Sequence, residues 1–569
     1  MDHPESSAEI PLSTTRRESH PEPKIETETP SHSIDEALGA GTVEQDSKDG
    51  APSKKLLAFK LAFIGLAAAV FVFQMDATSL GIALPTIAGE LHGQSLESFW
   101  ANMSYTLCGL VMQPLWASIS NAFGRKPPLY VCIVFFTVGS IGFALAKNMS
   151  IIIVGRVLQG FGGGGIDVLA EIILADITTL QERSFYLGLM GIPISIGNIL
   201  GPSVGALFSN YASWRWIGWV NLPFLGLAAP LIVFFLRLRP VQLDKSLAAN
   251  LNRLDWIGMF LVVVGITIFV LPFSWAGSLY PWDSWRTLFP MFLGIVVLVV
   301  FAIYEKRPAT PMMPHRLFHS KTANMTLAGA FIHGMILISI LQYLPLFYQA
   351  VELETAIGSA VSLLPAVITS VLFAAISMMM VSVVGGYVWI IRFAWIILTL
   401  GTGLLALFDV GSSSSMRFGL PILWGAGVAL LRLLLLPMQA SVQNVDDTGL
   451  AIGQLLTVRM FGALVGLTVA STIFNSVFSA TLSSIERPTG PLASLADAKN
   501  AVAFISELRK LDISPQVLDP VLKIYLKCFR TIFYTMAGLG SLGLITSLFT
   551  DDLDLSAKDL GQQQFEESS

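Results

Sequence analysis

The chain has 569 residues, of which 53% are hydrophobic and 13% charged, where an ordinary soluble domain carries roughly 25% charged residues. The formal net charge of -5 is unevenly spread: residues 1–53 hold 12 acids and 4 bases, residues 550–569 hold 6 and 1, and the body between keeps 21 acids and 29 bases. This composition excludes a water-soluble enzyme and gives no reason to expect a nucleic-acid partner.

In chain order, residues 1–53 place Pro4, Pro11, Pro21, Pro23 and Pro30 among Ser, Thr and Glu, too little apolar surface to offset the entropy of ordering. A disordered cytoplasmic tail is expected there. From Leu56 onward apolar runs recur, each of about 20 residues, the length that crosses a hydrocarbon core of about 30 Å as a helix. They lie near 57–84, 98–121, 128–147, 150–175, 184–209, 216–236, 255–275, 287–304, 323–347, 358–381, 388–408, 416–440, 449–478 and 529–549, so fourteen spans are expected. The run from Gly358 to Phe408 is divided only by Gly385-Gly386-Tyr387. The three cysteines, Cys108, Cys132 and Cys528, form no disulfide framework or zinc spacing. Neither metal nor cofactor is expected.

Basic residues in short loops set orientation. One set of loops collects Arg125, Lys126, Arg183, Arg237, Arg239, Lys245, Arg253, Lys306, Arg307, Arg316 and Lys321, and the other only Lys147, Arg215, Arg286 and Arg417. Both termini are therefore expected in the cytoplasm. A segment of about 479–528, with an amphipathic stretch near Ala498–Leu511, then lies outside, and residues 550–569 form a second cytoplasmic tail.

Five motifs follow one another in the first half. Met75-Asp76-Ala77-Thr78 leads to Ala83-Leu84-Pro85; Gly124-Arg125-Lys126 joins spans two and three; Gly155-Arg156-Val157-Leu158-Gln159-Gly160 lies in span four. Gly197, Gly201-Pro202 and Gly205 mark span five, and Trp214-Arg215-Trp216 with Asn221-Leu222-Pro223 opens span six. This succession resembles the fourteen-span drug:proton antiporters of the major facilitator superfamily, most closely the fungal toxin and multidrug efflux pumps. Three positions depart from the pattern: Ala117 stands where the loop motif would begin with glycine, Asn121 where the gating loop Asn121, Gly124, Arg125, Lys126 would carry an acid, and Ala206 where the span-five motif would close on glycine. The resemblance implies an all-α membrane protein of the major facilitator fold. It places a six-helix bundle at 54–237, two inserted transmembrane helices at 254–305, and a second six-helix bundle at 306–549. It also implies export of a small apolar organic molecule in exchange for protons, by a monomer in a fungal plasma membrane or, failing that, a vacuolar one. A siderophore-type uptake permease and a transporter-like sensor are the competing functions.

Ionisable residues at membrane depth are costly and usually face a bundle interior or a watery cavity. Asp76 lies in span one, and Arg156, Asp167 and Glu171 share one stripe of span four with Gly160 and Gly163. Desolvation makes a buried carboxylate hold its proton and a nearby guanidinium makes it release it. Asp76, Asp167 or Glu171 is thus expected to carry the proton, with Arg156 tuning it, or else Arg156 and one acid form a structural ion pair. His333 and Arg432 in spans nine and twelve are candidate proton or substrate groups, against the alternatives of an interior hydrogen-bonded histidine and a snorkelling arginine. Arg459 is expected to be a packing or gate partner. Gly197, Gly201, Pro202 and Gly205 are expected to let a bent helix approach its neighbour closely. Phe71, Phe73, Trp116, Trp219, Phe331, Tyr343, Phe347 and Trp424 are candidates for an apolar cavity wall. Gly162–Gly165 lacks the Lys-Ser/Thr of a phosphate loop, so a secondary carrier is expected rather than an ATP-driven pump.

Overall fold

Each long apolar run folds as a helix, because backbone groups at membrane depth find hydrogen-bond partners only within their own segment. The structure, a computed structural model, describes residues 57–92, 95–239, 247–276, 280–308, 310–482, 492, 495, 501–509, 511, 515–554 and 565. The expected N-terminal tail lies outside the described residues, as do residues 483–491, 493–494, 496–500, 510 and 512–514 of the 479–528 segment.

The first half comprises α1 (Leu57–Glu90), α2 (Ser95–Phe123), α3 (Lys126–Ala144), α4 (Met149–Asp176), α5 (Leu180–Tyr211) and α6 (Asn221–Phe235). Two further helices, α7 (Trp256–Trp275) and α8 (Trp285–Tyr304), pair with each other. The second half comprises α9 (Lys321–Ala350), α10 (Ala356–Val384), α11 (Val388–Leu404), α12 (Ser414–Leu430), α13 (Thr448–Leu482) and α14 (Pro515–Leu548). Thirteen of these helices are long and apolar enough to cross a membrane, α6 being counted together with the short helix Trp216–Trp219 that leads into it. The exception is α2, whose length suffices but whose apolar character is diluted by Glu97, Asn102, Ser104, Thr106, Gln113 and Ser120. It tolerates them because it packs on α4 and α13 and faces the interior.

Local chemistry sets the ends. Asn148 caps α4 by accepting from the Ile151 amide at 2.9 Å, and Thr179 with Glu182 forms a reciprocal capping box at the start of α5. Gly385 adopts φ +72°, a left-handed turn that glycine takes without penalty, and this divides the near-continuous run into α10 and α11. The last helix begins at Pro515 rather than near 529. Ahead of it the short helix Ala501–Leu508 packs against α9, and the Tyr525 hydroxyl donates to the Ala501 carbonyl at 2.6 Å. That burial extends α14 beyond the apolar run.

Within the first half α4 packs on α2 and α3, while α1 packs on α5 and α6; in the second half α9 packs on α13 and α14, and α12 on α10 and α11. The halves meet along α5 with α10 and along α2 with α13. In the most apolar window of α4, 83% of residues are buried, against 17% in α8, so α4 is the buried core helix and α8 faces the surroundings. The run Gly162–Gly165 makes this burial feasible. A side chain at Gly162 would strike Cys132 and Phe136 of α3, at Gly163 Phe73 of α1, at Gly164 the Gly109 backbone of α2, and at Gly165 Cys132 and Trp116. Together the four glycines admit α1, α2 and α3 to close contact with α4.

Candidate functional site

Two polar clusters lie at depth, both built around α4. In the first, Arg156 Nη1 meets Asp76 Oδ2 at 2.5 Å, with both side chains 1% exposed. The second Asp76 oxygen accepts from Asn221 Nδ2 at 2.9 Å, Gln159 accepts from Arg156 at 3.1 Å, and Gln159 and Asn221 both donate to the Ser140 hydroxyl. Three of the five sequence motifs thus contribute members to a single buried network. The Tyr105 ring covers it: the Arg156 guanidinium lies 4.0 Å from the ring centroid, and the hydroxyl donates to the Phe73 carbonyl at 2.8 Å. Tyr105 lines the central cavity on its other side, whereas Asp76 and Arg156 do not line it.

The second cluster surrounds that cavity, which has a volume of about 230 Å3 and lies between the halves. One helical turn separates Asp167 and Glu171 on α4. Asp167 lines the cavity and accepts from Gln113 Nε2 at 2.9 Å and Gln74 Nε2 at 3.3 Å. Glu171 accepts from Arg432 Nη2 across the boundary between the halves at 2.9 Å, and its other oxygen is buried without a hydrogen bond. Arg432 is held there by a tighter 3-10 turn, Leu431–Leu434, which interrupts the helix after α12; such interruptions often mark hinges.

His333 lines the same cavity with both ring nitrogens lacking a hydrogen bond. Arg459 lines it too, and its side chain makes no ion pair among the described residues. Close contact of α9 with α13 sets these two side by side: a side chain at Gly334 would meet the Arg459 carbonyl, and one at Gly462 the Phe331 carbonyl. Of the eight candidate aromatics only Phe73 and Trp424 line the cavity. Trp116 instead donates to the Phe161 carbonyl at 2.9 Å, and Tyr343 and Phe347 pack against Phe529.

The cavity reaches from these charges to Gly81, Asn102 and Gln342, in the halves of their helices nearer Trp214. Towards the opposite end, which carries Arg125, the halves close on each other. Arg183 Nη1 donates to Gln439 Oε1 at 3.0 Å, and a side chain at Gly453 would stand 2.7 Å from Ala117. Gly124, at φ +81°, turns the chain between α2 and α3 so that Arg125 points inward. Its Nε donates to Asp176 Oδ2 at 2.8 Å and its Nη1 to Ser120 and Asn121. The acid that Asn121 cannot supply therefore comes from Asp176 at the end of α4. Lys126 opens α3. On α5, side chains at Gly197, Gly201 and Gly205 would collide with Phe71, with Met75 and Thr78, and with Ser79, all on α1. Pro202 lies inside the same helix.

Sequence reasoning did not single out Gln74, Gln113, Tyr105, Asp176 or Gln439. The first two and Gln439 carried a usable signal, as amides inside apolar runs; the partner each would find could not be read from spacing.

A model of the Major Facilitator Superfamily matches residues 66–467. The chain is 70% identical to the MFS-type transporter sphD of Aspergillus fumigatus, over 99% of this chain and 98% of that one. It is 31% identical to the efflux pump FUS6 of Gibberella moniliformis, over 88% of this chain and 89% of that one. Among solved structures, the human organic anion transporter MFSD10 aligns with a TM-score of 0.55 at 14% identity, covering 87% of this chain and all of that one. The proton:xylose symporter XylE aligns at 0.56 and 12%, over 88% and 97%. At such identities the likeness is one of fold, and the fold is the all-helical one that the motifs implied.

Proposed function

The chain belongs to the Major Facilitator Superfamily and is a multi-pass membrane transporter, and from that premise we propose that it exports small apolar organic compounds in exchange for protons. The observation that carries this reading is the Glu171–Arg432 pair, which ties the two halves together beside a cavity that Asp167 also lines. With the Arg125 end in the cytoplasm, as the basic loops suggest, the structure corresponds to a carrier closed inward, its cavity extending outward.

Opening the inner end separates Glu171 from Arg432. An ionised carboxylate stranded there is costly, whereas a protonated one is not. Protonation of Glu171 from outside, relayed past Asp167, lets the inner end open; release of that proton inside, with cargo bound, lets the pair re-form and carries the cargo outward. Asp76 and Arg156 serve in this scheme as structure, with Tyr105 keeping water and cargo away from them. His333 contacts cargo, Arg125 with Asp176 and Arg183 with Gln439 hold the inner gate, and the α1–α5 glycine seam keeps the first half rigid. The relatives named as efflux pumps support the export direction. The membrane assigned is the plasma membrane, and the unit is the monomer.

Two measurements test this. Fungal cells lacking the gene should retain more of their own apolar metabolites, read by mass spectrometry of washed cells, and adding a protonophore to wild-type cells should reproduce that retention. Lower content in the deletion strain would show uptake instead. Proteoliposomes that gain no compound from an extract when a pH gradient is imposed would remove proton coupling.

A further inference from the structure

Arg459 is the charged cavity residue that neither the fold nor the coupling scheme uses. Glu171 is taken by Arg432, and both oxygens of Asp167 are taken by side-chain amides. Arg459 therefore feels Asp167 and Glu171 only through space, and it presents its guanidinium to the cavity without an ion pair among the described residues. A cation at such depth is retained where it meets a cavity or a ligand, and a guanidinium is shaped to take a carboxylate through two parallel hydrogen bonds. The wall beyond it is aliphatic: Leu337, Ile338 and Leu341 of α9 face Leu363 and Val367 of α10 across the same space.

Resting on the efflux reading above, we propose that the cargo is an amphiphile bearing one acidic group, which docks on Arg459 while its apolar body lies between α9 and α10. This narrows the substrate class from apolar compounds at large to organic acids with an aliphatic body.

The test is a binding titration of the purified full-length chain in lipid nanodiscs, with dansyl-undecanoic acid and its methyl ester as probes and empty nanodiscs subtracted. The acid should bind at least about tenfold more tightly than the ester, the scale of a charge-assisted contact. Arg459→Gln should bring the two within about twofold, and Arg459→Lys, which keeps the charge, should retain most of the preference. Equal binding of acid and ester to the wild-type chain overturns the proposal, as does a preference that survives in Arg459→Gln. Should that variant fail to fold, the wild-type comparison and Arg459→Lys still decide. Because binding is read without transport, a chain that prefers the acid yet drives no efflux refutes the export reading alone. One that exports neutral compounds with no preference refutes the acid site alone.

Discussion

The sealed Asp76–Arg156 cluster and the open Asp167–Glu171–Arg432–Arg459 cluster use the same residue types, about three to four turns apart along α4, yet their physical states differ. In the first, both carboxylate oxygens are engaged, by Arg156 and Asn221, and an aromatic ring shuts off the cavity. In the second, one oxygen of Glu171 and both nitrogens of His333 lack partners, and Arg459 makes no ion pair among the described residues. In the first, Arg156 Nε and Asn221 Oδ1 lack hydrogen bonds too, but a pair whose two carboxylate oxygens are both engaged within one half, under an aromatic ring, is built to stay as it is. In the proposed cycle, the pair that joins the two halves and keeps a free acceptor is the one that changes. Burial alone does not distinguish a structural charge from a working one; the partner list and the boundary it crosses do.

The largest effect is expected where the sealed cluster is broken. Asp76→Asn strands Arg156 in a dry interior, and removal of one partner from a buried pair costs about 3–5 kcal/mol. Loss of monodisperse protein on size-exclusion chromatography is the expected readout. An Asp76→Asn protein of normal yield that has lost only its response to a pH gradient would instead return Asp76 to the coupling mechanism.

Glu171→Gln should do the reverse. It imitates the protonated acid, keeps a hydrogen bond to Arg432, and should leave yield unchanged. Transport driven by a pH gradient into proteoliposomes should fall by about 5–150-fold, the range of a coupling free energy, while exchange of labelled for unlabelled cargo without a gradient continues. Full gradient-driven transport in this variant would detach Glu171 from the proton.

The α1–α5 seam offers a smaller perturbation. Gly205→Ala sets a methyl group against the Ser79 carbonyl, and overpacking of this kind costs about 1–3 kcal/mol. Lower thermal stability in detergent, with cargo affinity intact, is the expected pattern.

The smallest effect concerns a carboxylate outside the membrane-spanning segments. Glu305 follows α8, accepts from the Met313 amide, and is pushed up to about 7 by burial, with Asp255 adding to the shift. Its folded-state pKa lies above the unfolded value, so the protonated fold is favoured. Its contribution to stability is fully present below about pH 4.5 and is lost as pH rises through 7. The melting temperature of the wild-type chain should therefore fall more between pH 5 and 8 than that of Glu305→Gln, and equal slopes would exclude Glu305 as the source.

What the sequence determined by itself was the membrane solvent, the number and order of the helices, and the family. Apolar runs of bilayer length, punctuated by glycine, proline and basic residues, are one-dimensional signals, and hydrogen bonding inside each helix is local. The gating loop was legible in part: Arg125 and Gly124 stood in the motif, but the acid replacing Asn121 is Asp176, on another helix. The stripe Arg156, Asp167, Glu171 was legible as one face of α4, yet nothing in its period said that Tyr105 would divide it into a sealed part and an open part. Nor did spacing reveal that Glu171 faces Arg432, 261 positions away. Those decisions belong to tertiary structure, because a buried charge is defined by what fills the space around it, and that space is bounded by helices remote in the chain.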